Sequence, residues 1–213
     1  MAAASRDLGA ADARLSGRIR VTAGDGFGPF LVRVAAAFRA EHPDVSIDLA
    51  LDHRVYDLSR READIGLRNQ RPTARPLVAR KLGELDYGLY ASEEYLRGRS
   101  LRSRAQLPEH AFIGIEGPAA NAAEMRWLRE HGATRFSLRS TSLQTVFEAA
   151  LAGQGIAALP HALARQGKLR HLLRDEQLPA LPLWLVMHRD LRTIERIRRF
   201  AHAIGEAAAR ELA

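Results

Sequence analysis

The chain has 213 residues, 46% of them apolar, which is enough for one ordinary domain or two small lobes with a real core. It contains no cysteine, so disulfides, thiolate metal sites and cysteine catalysis are excluded, and a reducing cytoplasm suits it. The net charge of +7 is carried almost wholly by arginine, with lysine only at Lys81 and Lys168; these charges occur in every segment without a dense tract or interleaved aromatics, so they read as a solvated surface rather than a nucleic-acid footprint.

The opening stretch, "MAAASRDLGAADARLSG", is interrupted by Arg6, Asp7 and Asp12 and lacks the apolar core of a signal peptide. No run is long enough to span a membrane, and a soluble cytoplasmic protein is expected. "GRIRVTAG" alternates apolar and polar residues and predicts a first strand. Pro29 suits a first helical turn, and Phe30, Leu31, Val34, Ala35 and Phe38 follow at helical spacing until Pro43. "VSIDLAL" predicts a second strand, and Asp52 is placed to cap a short helix, "HRVYDLSRRE". "ADIGL" is a short buried strand ending at Leu67. Strand, helix, strand, helix, strand is the pattern of a parallel sheet with crossover helices.

After the loop "NQRPTARP", the stretch "LVARKLGELDYGLYAS" supplies two more strands. "EEYLRGR" is a short helix and "RSLRSRAQLPEH" an irregular basic connection. "AFIGIEG" is a strand, and "AAEMRWLREHG" is a helix closed by Gly132. "RFSLRS" is a strand, and "STSLQTVFEAALAGQ" is a helix with Val146, Phe147, Ala150 and Leu151 inward. "GIAALP" and "PLWLVMH" are strands, and a long terminal helix follows. Two successive α/β units and a final strand and helix imply two lobes with more than one crossing between them.

The loop "TAGDGFGPF" invites comparison with nucleotide-binding loops. Neither register of Gly24, Gly26 and Gly28 supplies Gly-x-Gly-x-x-Gly, because Pro29 or Leu31 stands at the last position, and no lysine follows. Asp25 would repel a pyrophosphate. The loop is thus either a plain strand-to-helix turn or a ligand contact at the carboxyl end of a strand. No Gly-x-Ser-x-Gly elbow is present. The eight histidines are scattered, with no metal-ligand spacing, and are expected to be solvated or near helix ends. No catalytic constellation, metal site or cofactor motif is read, and the chain is expected not to be an enzyme.

One ordered set of segments is more specific: "AEHPDV", "ADIGLR" and "AGQGIAALP", with "LPLWLVMHRDLRTIERIRRF" near the end. From Gly17 onward this resembles the effector-binding domain of LysR-type transcriptional regulators. The resemblance implies an α/β, two-lobed type 2 periplasmic-binding-protein-like fold with two hinge crossings. Lobe I would comprise residues 17–89 and 188–213, lobe II residues 90–187, and residues 1–16 would be a remnant of a linker helix. The family's N-terminal helix-turn-helix has no counterpart here, so DNA would be reached only through such an absent module. The resemblance further implies a small-molecule effector, a homodimer and no cofactor.

It also places the effector site. The opening loop would contribute Asp25, Gly26 and Phe27, and the turn after the second strand Asp52, His53 and Arg54. Arg68 and Asn69 would come from the end of "DIGLR", and Glu116, Thr141 and Ser142 from lobe II. Plainer roles compete: Asp52, Thr141 and Ser142 are ordinary caps, and Arg68 has Asp64 and Glu62 within sequence reach. On the effector reading, Arg54 and Arg68 would clamp a carboxylate, which favours an organic acid. Asp25 stands where the family often has a neutral hydroxyl residue, and this keeps an amino acid or a neutral ligand open. A solute-binding protein, an enzyme on the same two-lobe fold and an arginine-driven nucleic-acid binder are the rival readings.

Overall fold

A computed structural model describes residues 15–51 and 56–212. Two five-stranded mixed sheets form two lobes. β1 (Gly17–Ala23) leads through a turn into α1 (Gly28–Glu41). β2 (Val45–Leu51) and β3 (Ile65–Arg68) both run parallel to β1, as the strand and helix pattern predicts. β4 (Leu77–Leu85) lies at the sheet edge and β5 (Tyr87–Ser92) begins the second sheet, so Asp86 alone separates the two.

The second lobe continues with α2 (Glu93–Leu96), β6 (Phe112–Ile115), α3 (Ala123–Glu130), β7 (Phe136–Ser140), α4 (Leu143–Leu151), β8 (Ile156–Pro160), α5 (His161–Ala164) and β9 (Leu169–Leu172). Its strand order is β7-β6-β8-β5-β9. The chain then returns: β10 (Leu181–His188) inserts between β3 and β4, antiparallel to both, and α6 (Glu195–Glu211) closes the first lobe. The first sheet is therefore β2-β1-β3-β10-β4.

The sheets divide the chain at other positions than the sequence boundaries. Residues 181–187, expected with lobe II, pair along their whole length with β4, because Leu183, Leu185 and Val186 are buried in the first lobe's sheet. All of β5 from Tyr87 pairs with β8 and β9, so residues 87–89 belong to the second sheet. The Asp52-capped helix falls partly on residues outside those described. In its described part there is a single tight turn, Leu58–Arg60, and Asp57 caps it by accepting from Ser59 N–H at 2.8 Å. The basic connection after α2 is less irregular than its composition suggests: a turn at Arg104–Glu109 forms where the Gln106 side chain accepts from Arg102 N–H at 2.8 Å.

Helical periodicity explains the packing. α6 buries Ile197, Phe200, Ala201, Ile204, Ala207 and Ala208, one continuous stripe, and Phe200 meets Phe38 of α1 edge-on at 5.0 Å between ring centroids. In α4, Val146, Phe147 and Ala150 turn inward as read from the sequence; Ala149 joins them, whereas Leu151 is only half-buried at the last turn. Gly132 ends α3 with φ of 88°, the left-handed stop expected of it.

Candidate functional site

Between the lobes lies a cleft of about 1170 Å³. Asp25, Phe27, Phe30 and Arg68 line it from the first lobe, and Ile113, Glu124, Met125, Leu143 and Ala158 from the second. A volume of this order suits a small organic ligand, and the wall mixes apolar side chains with charged ones, Arg33, Arg71 and Arg126 among them.

The glycine-rich loop meets the second lobe here. Residues 25–27 make one tight turn, and Asp25 points its carboxylate across the cleft at the first turn of α4. Oδ1 accepts from Leu143 N–H at 3.2 Å, Oδ2 accepts from Gln144 N–H at 3.3 Å, and the Ser142 hydroxyl also donates to Oδ2. Ser142 in turn caps its own helix by accepting from Thr145 N–H at 3.0 Å. The first amides of a helix lack internal partners and carry partial positive charge, so a carboxylate satisfies both needs. A Cβ at Gly26 would stand 2.8 Å from Leu143 Cδ2, so a larger residue there would require the Leu143 side chain to shift. "TAGDGFGPF" is accordingly neither a nucleotide loop nor a plain turn. It docks one lobe on the other.

The remaining sequence candidates separate. Gly26 and Phe27 line the cleft beside Asp25, as do Arg68 and Asn69. Arg68, however, uses Nη1 on the backbone carbonyls of Thr22, at 3.1 Å, and Leu67, at 2.9 Å. Neither Asp64 nor Glu62 is its observed partner: Asp64 Oδ2 accepts from Arg20 N–H at 2.7 Å, and Glu62 accepts from Asp57 N–H at 3.0 Å. Asn69 is exposed and reaches the Pro182 carbonyl at 3.4 Å. Glu116 is exposed and pairs with Arg139 at 3.6 Å. Glu116 and Thr141 are not among the described residues of the cleft wall, and Ser142 joins the site only through Asp25. Asp52, His53 and Arg54 lie outside the described residues.

Two cleft residues escaped the sequence reading. Glu124, in the first turn of α3, is 5% exposed, and its Oε2 has no hydrogen-bond partner. Burial raises its pKa above the ordinary carboxylate value, against the lowering effect of its own backbone amide and of Arg126. Tyr87 of β5 lines the same wall, and burial, then the nearby Glu124 charge, push its hydroxyl pKa far up. A signal for Glu124 exists: it stands four residues before Leu128, on the apolar face of α3 with Met125 and Trp127.

Among the described residues no group of three or more His, Asp or Glu side chains is arranged to hold a metal ion. Outside the cleft, Tyr90 shares a 2.6 Å hydrogen bond with His161 Nδ1 and stacks on His171 with centroids 4.9 Å apart. His110 departs from the expectation of a solvated histidine: it is 4% exposed and bonded to the Tyr95 hydroxyl at 3.2 Å.

Comparison with known proteins agrees with this geometry. The family model for the LysR substrate binding domain matches residues 12–209. The HTH-type transcriptional regulator PgrR of Escherichia coli (strain K12) is 27% identical over 181 residues, covering 79% of this chain and 60% of PgrR. PtxR of Pseudomonas aeruginosa, also an HTH-type transcriptional regulator, is 28% identical over 205 residues, covering 92% of this chain and 66% of PtxR. The chain thus spans less than two thirds of the length of these regulators. Among solved structures, the regulatory domain of CrgA, a LysR-type regulator from Neisseria meningitidis, superposes with a TM-score of 0.78 at 22% identity, covering 93% of this chain and all of that one. The effector domain of AmpR from Pseudomonas aeruginosa gives a TM-score of 0.73 at 22% identity, with 93% and 98% covered. These similarities establish the two-lobed fold.

Proposed function

The chain belongs to the LysR substrate-binding domain family, and from that premise we propose that it senses a small metabolite, an organic acid or an amino acid, in the interlobe cleft and passes a lobe rearrangement to transcription control. The observation that carries this reading is the cleft itself, whose wall draws residues from both lobes. A ligand touching both walls binds the closed arrangement more tightly than the open one, and only such differential affinity shifts a conformational population. The Asp25 contact to α4 supports the same reading, since it is a polar link that a change in lobe angle must alter.

The relatives are transcriptional regulators rather than enzymes, and no helix among the described residues is long and apolar enough to cross a membrane. A cytoplasmic regulator working as a homodimer, and meeting DNA through a helix-turn-helix module, accords with this family membership. A thermal-shift screen against organic acids, amino acids and aromatic acids tests the proposal. A ligand at 100 times its Kd stabilises the native state by about 2.7 kcal/mol, or roughly 5–10 °C for a chain of this size. A saturable rise that Ala122→Trp abolishes by narrowing the cleft supports the reading. Flat curves for a well-folded protein across the whole library count against it.

A further inference from the structure

Among the described residues, several groups that would draw an anion into the cleft are engaged by the protein's own oxygens, while Arg71 lies over the Trp184 ring, 5.6 Å from its centroid. The Asp25 carboxylate takes the amides of Leu143 and Gln144 and the Ser142 hydroxyl, so the N-terminus of α4 carries its counter-charge. Arg68 directs Nη1 at two backbone carbonyls. Arg126 is exposed and bonds the Asn121 carbonyl.

On the opposite wall the need is reversed. Glu124 is nineteen-twentieths buried and its Oε2 has no partner, on a wall that it shares with apolar Ile113, Met125 and Ala158 and with Tyr87, whose hydroxyl is close enough to feel its charge. Buried polar atoms are almost always hydrogen-bonded, and an orphaned acceptor in a ligand-sized cleft is what a donor on the ligand would satisfy.

We infer that Glu124 recognises a nitrogen donor, so that the cleft takes an amine-bearing metabolite, either a primary amine or an amino acid held through its ammonium group, rather than a simple carboxylic acid. The inference rests on the cleft being the ligand site and narrows its ligand class. An ammonium offers three donors to a carboxylate and makes charge-assisted bonds. Burial raises the Glu124 pKa in the unliganded protein, and a cation beside it restores the ionised form. The Asp25 carboxylate on the other side of the cleft is taken up by α4, so Glu124 is the carboxylate that a cationic ligand would meet.

The test is a matched series of five-carbon probes, pentylamine, 5-aminopentanoate and pentanoate, titrated into the purified chain by calorimetry and by protein-observed NMR. We expect saturable binding of the two amine-bearing probes and at least tenfold weaker binding of pentanoate. Glu124→Gln, which keeps the side chain's shape, should weaken the amine probes at least tenfold; Glu124→Asp should recover part of that loss. Thermal unfolding of each unliganded variant controls for folding. Pentanoate binding as tightly as pentylamine, or amine binding unchanged in Glu124→Gln, overturns the proposal. If pentanoate binds, ignores Glu124→Gln and is lost in Ala122→Trp, the amine proposal falls while the sensing cleft stands. If no probe binds in any arm, both fall.

Discussion

A single carboxylate, Asp25, joins residues separated in sequence by more than a hundred positions and so ties the first lobe to the first turn of α4. Asp25→Ala strips two helix amides of their partner while Ser142 continues to cap Thr145. We expect a loss of about 1 kcal/mol in urea unfolding, as for a helix cap, and a wider lobe angle by small-angle scattering; unchanged stability would show that the contact is not energetically significant. Glu124 carries the opposite sign of consequence. Its folded pKa lies above the ordinary 4.5, so the native state holds the proton more tightly than the unfolded chain. The stability this supplies is complete below that value and is lost as pH rises through the folded pKa. Glu124→Gln escapes the loss, so its stability relative to wild type should improve between pH 4 and pH 7.5 by on the order of 1 kcal/mol, the cost of an unsatisfied buried group. A pH-independent difference would contradict the assignment. Asp25 was legible as an acid in a glycine loop, whereas Glu124, an acid on the apolar face of α3, was not singled out. That Asp25 would meet Ser142, and that Arg68 would turn to backbone carbonyls, was not legible, because a side chain's partner depends on which strands and helices come together.

Among the elements, periodicity carried most of the reading. Strands β1, β2, β6 and β8 and helices α1, α4 and α6 stand where alternation and helical spacing put them. The short pieces between residues 161 and 172 were not read, since α5 and β9 have only four residues each and show no period to detect. Those two elements create the Tyr90, His161 and His171 cluster. Burial lowers both histidine pKa values; Arg165 adds to this for His161 while Asp86 opposes it, and His161 and Arg174 add to it for His171. A histidine with a depressed folded pKa contributes stability that is present above its unfolded value of 6.5 and is lost as pH falls below it. We therefore expect urea midpoints to fall from pH 7.5 to pH 5.5, and His171→Gln to flatten that fall. Gly155, which starts the approach to β8, has φ of 156°, and a Cβ there would meet the Ala111 carbonyl oxygen at 2.7 Å. Gly155→Ala should cost about 1–3 kcal/mol through backbone strain in thermal unfolding, whereas a neutral result would mean that β6 and β8 yield easily.

At the scale of the whole molecule, part of the arginine content is taken up in surface ion pairs. Arg18 pairs with Asp48, Arg33 with Glu211, Arg61 with Asp190 and Arg104 with Glu176, all exposed on at least one side. Such pairs add little stability. The fold class and the parallel heart of the first sheet were determined by the sequence alone. Each depends on patterns local to a segment, or on an ordered set of segments that resembles a family. Tertiary structure decided the rest: β10 inserted in the first sheet, Asp25 fastened to α4, Arg68 turned inward, and Glu124 left without a partner in the cleft. Those outcomes depend on contacts between distant segments, and a side chain's charge and bonding state follow from what the folded chain places beside it.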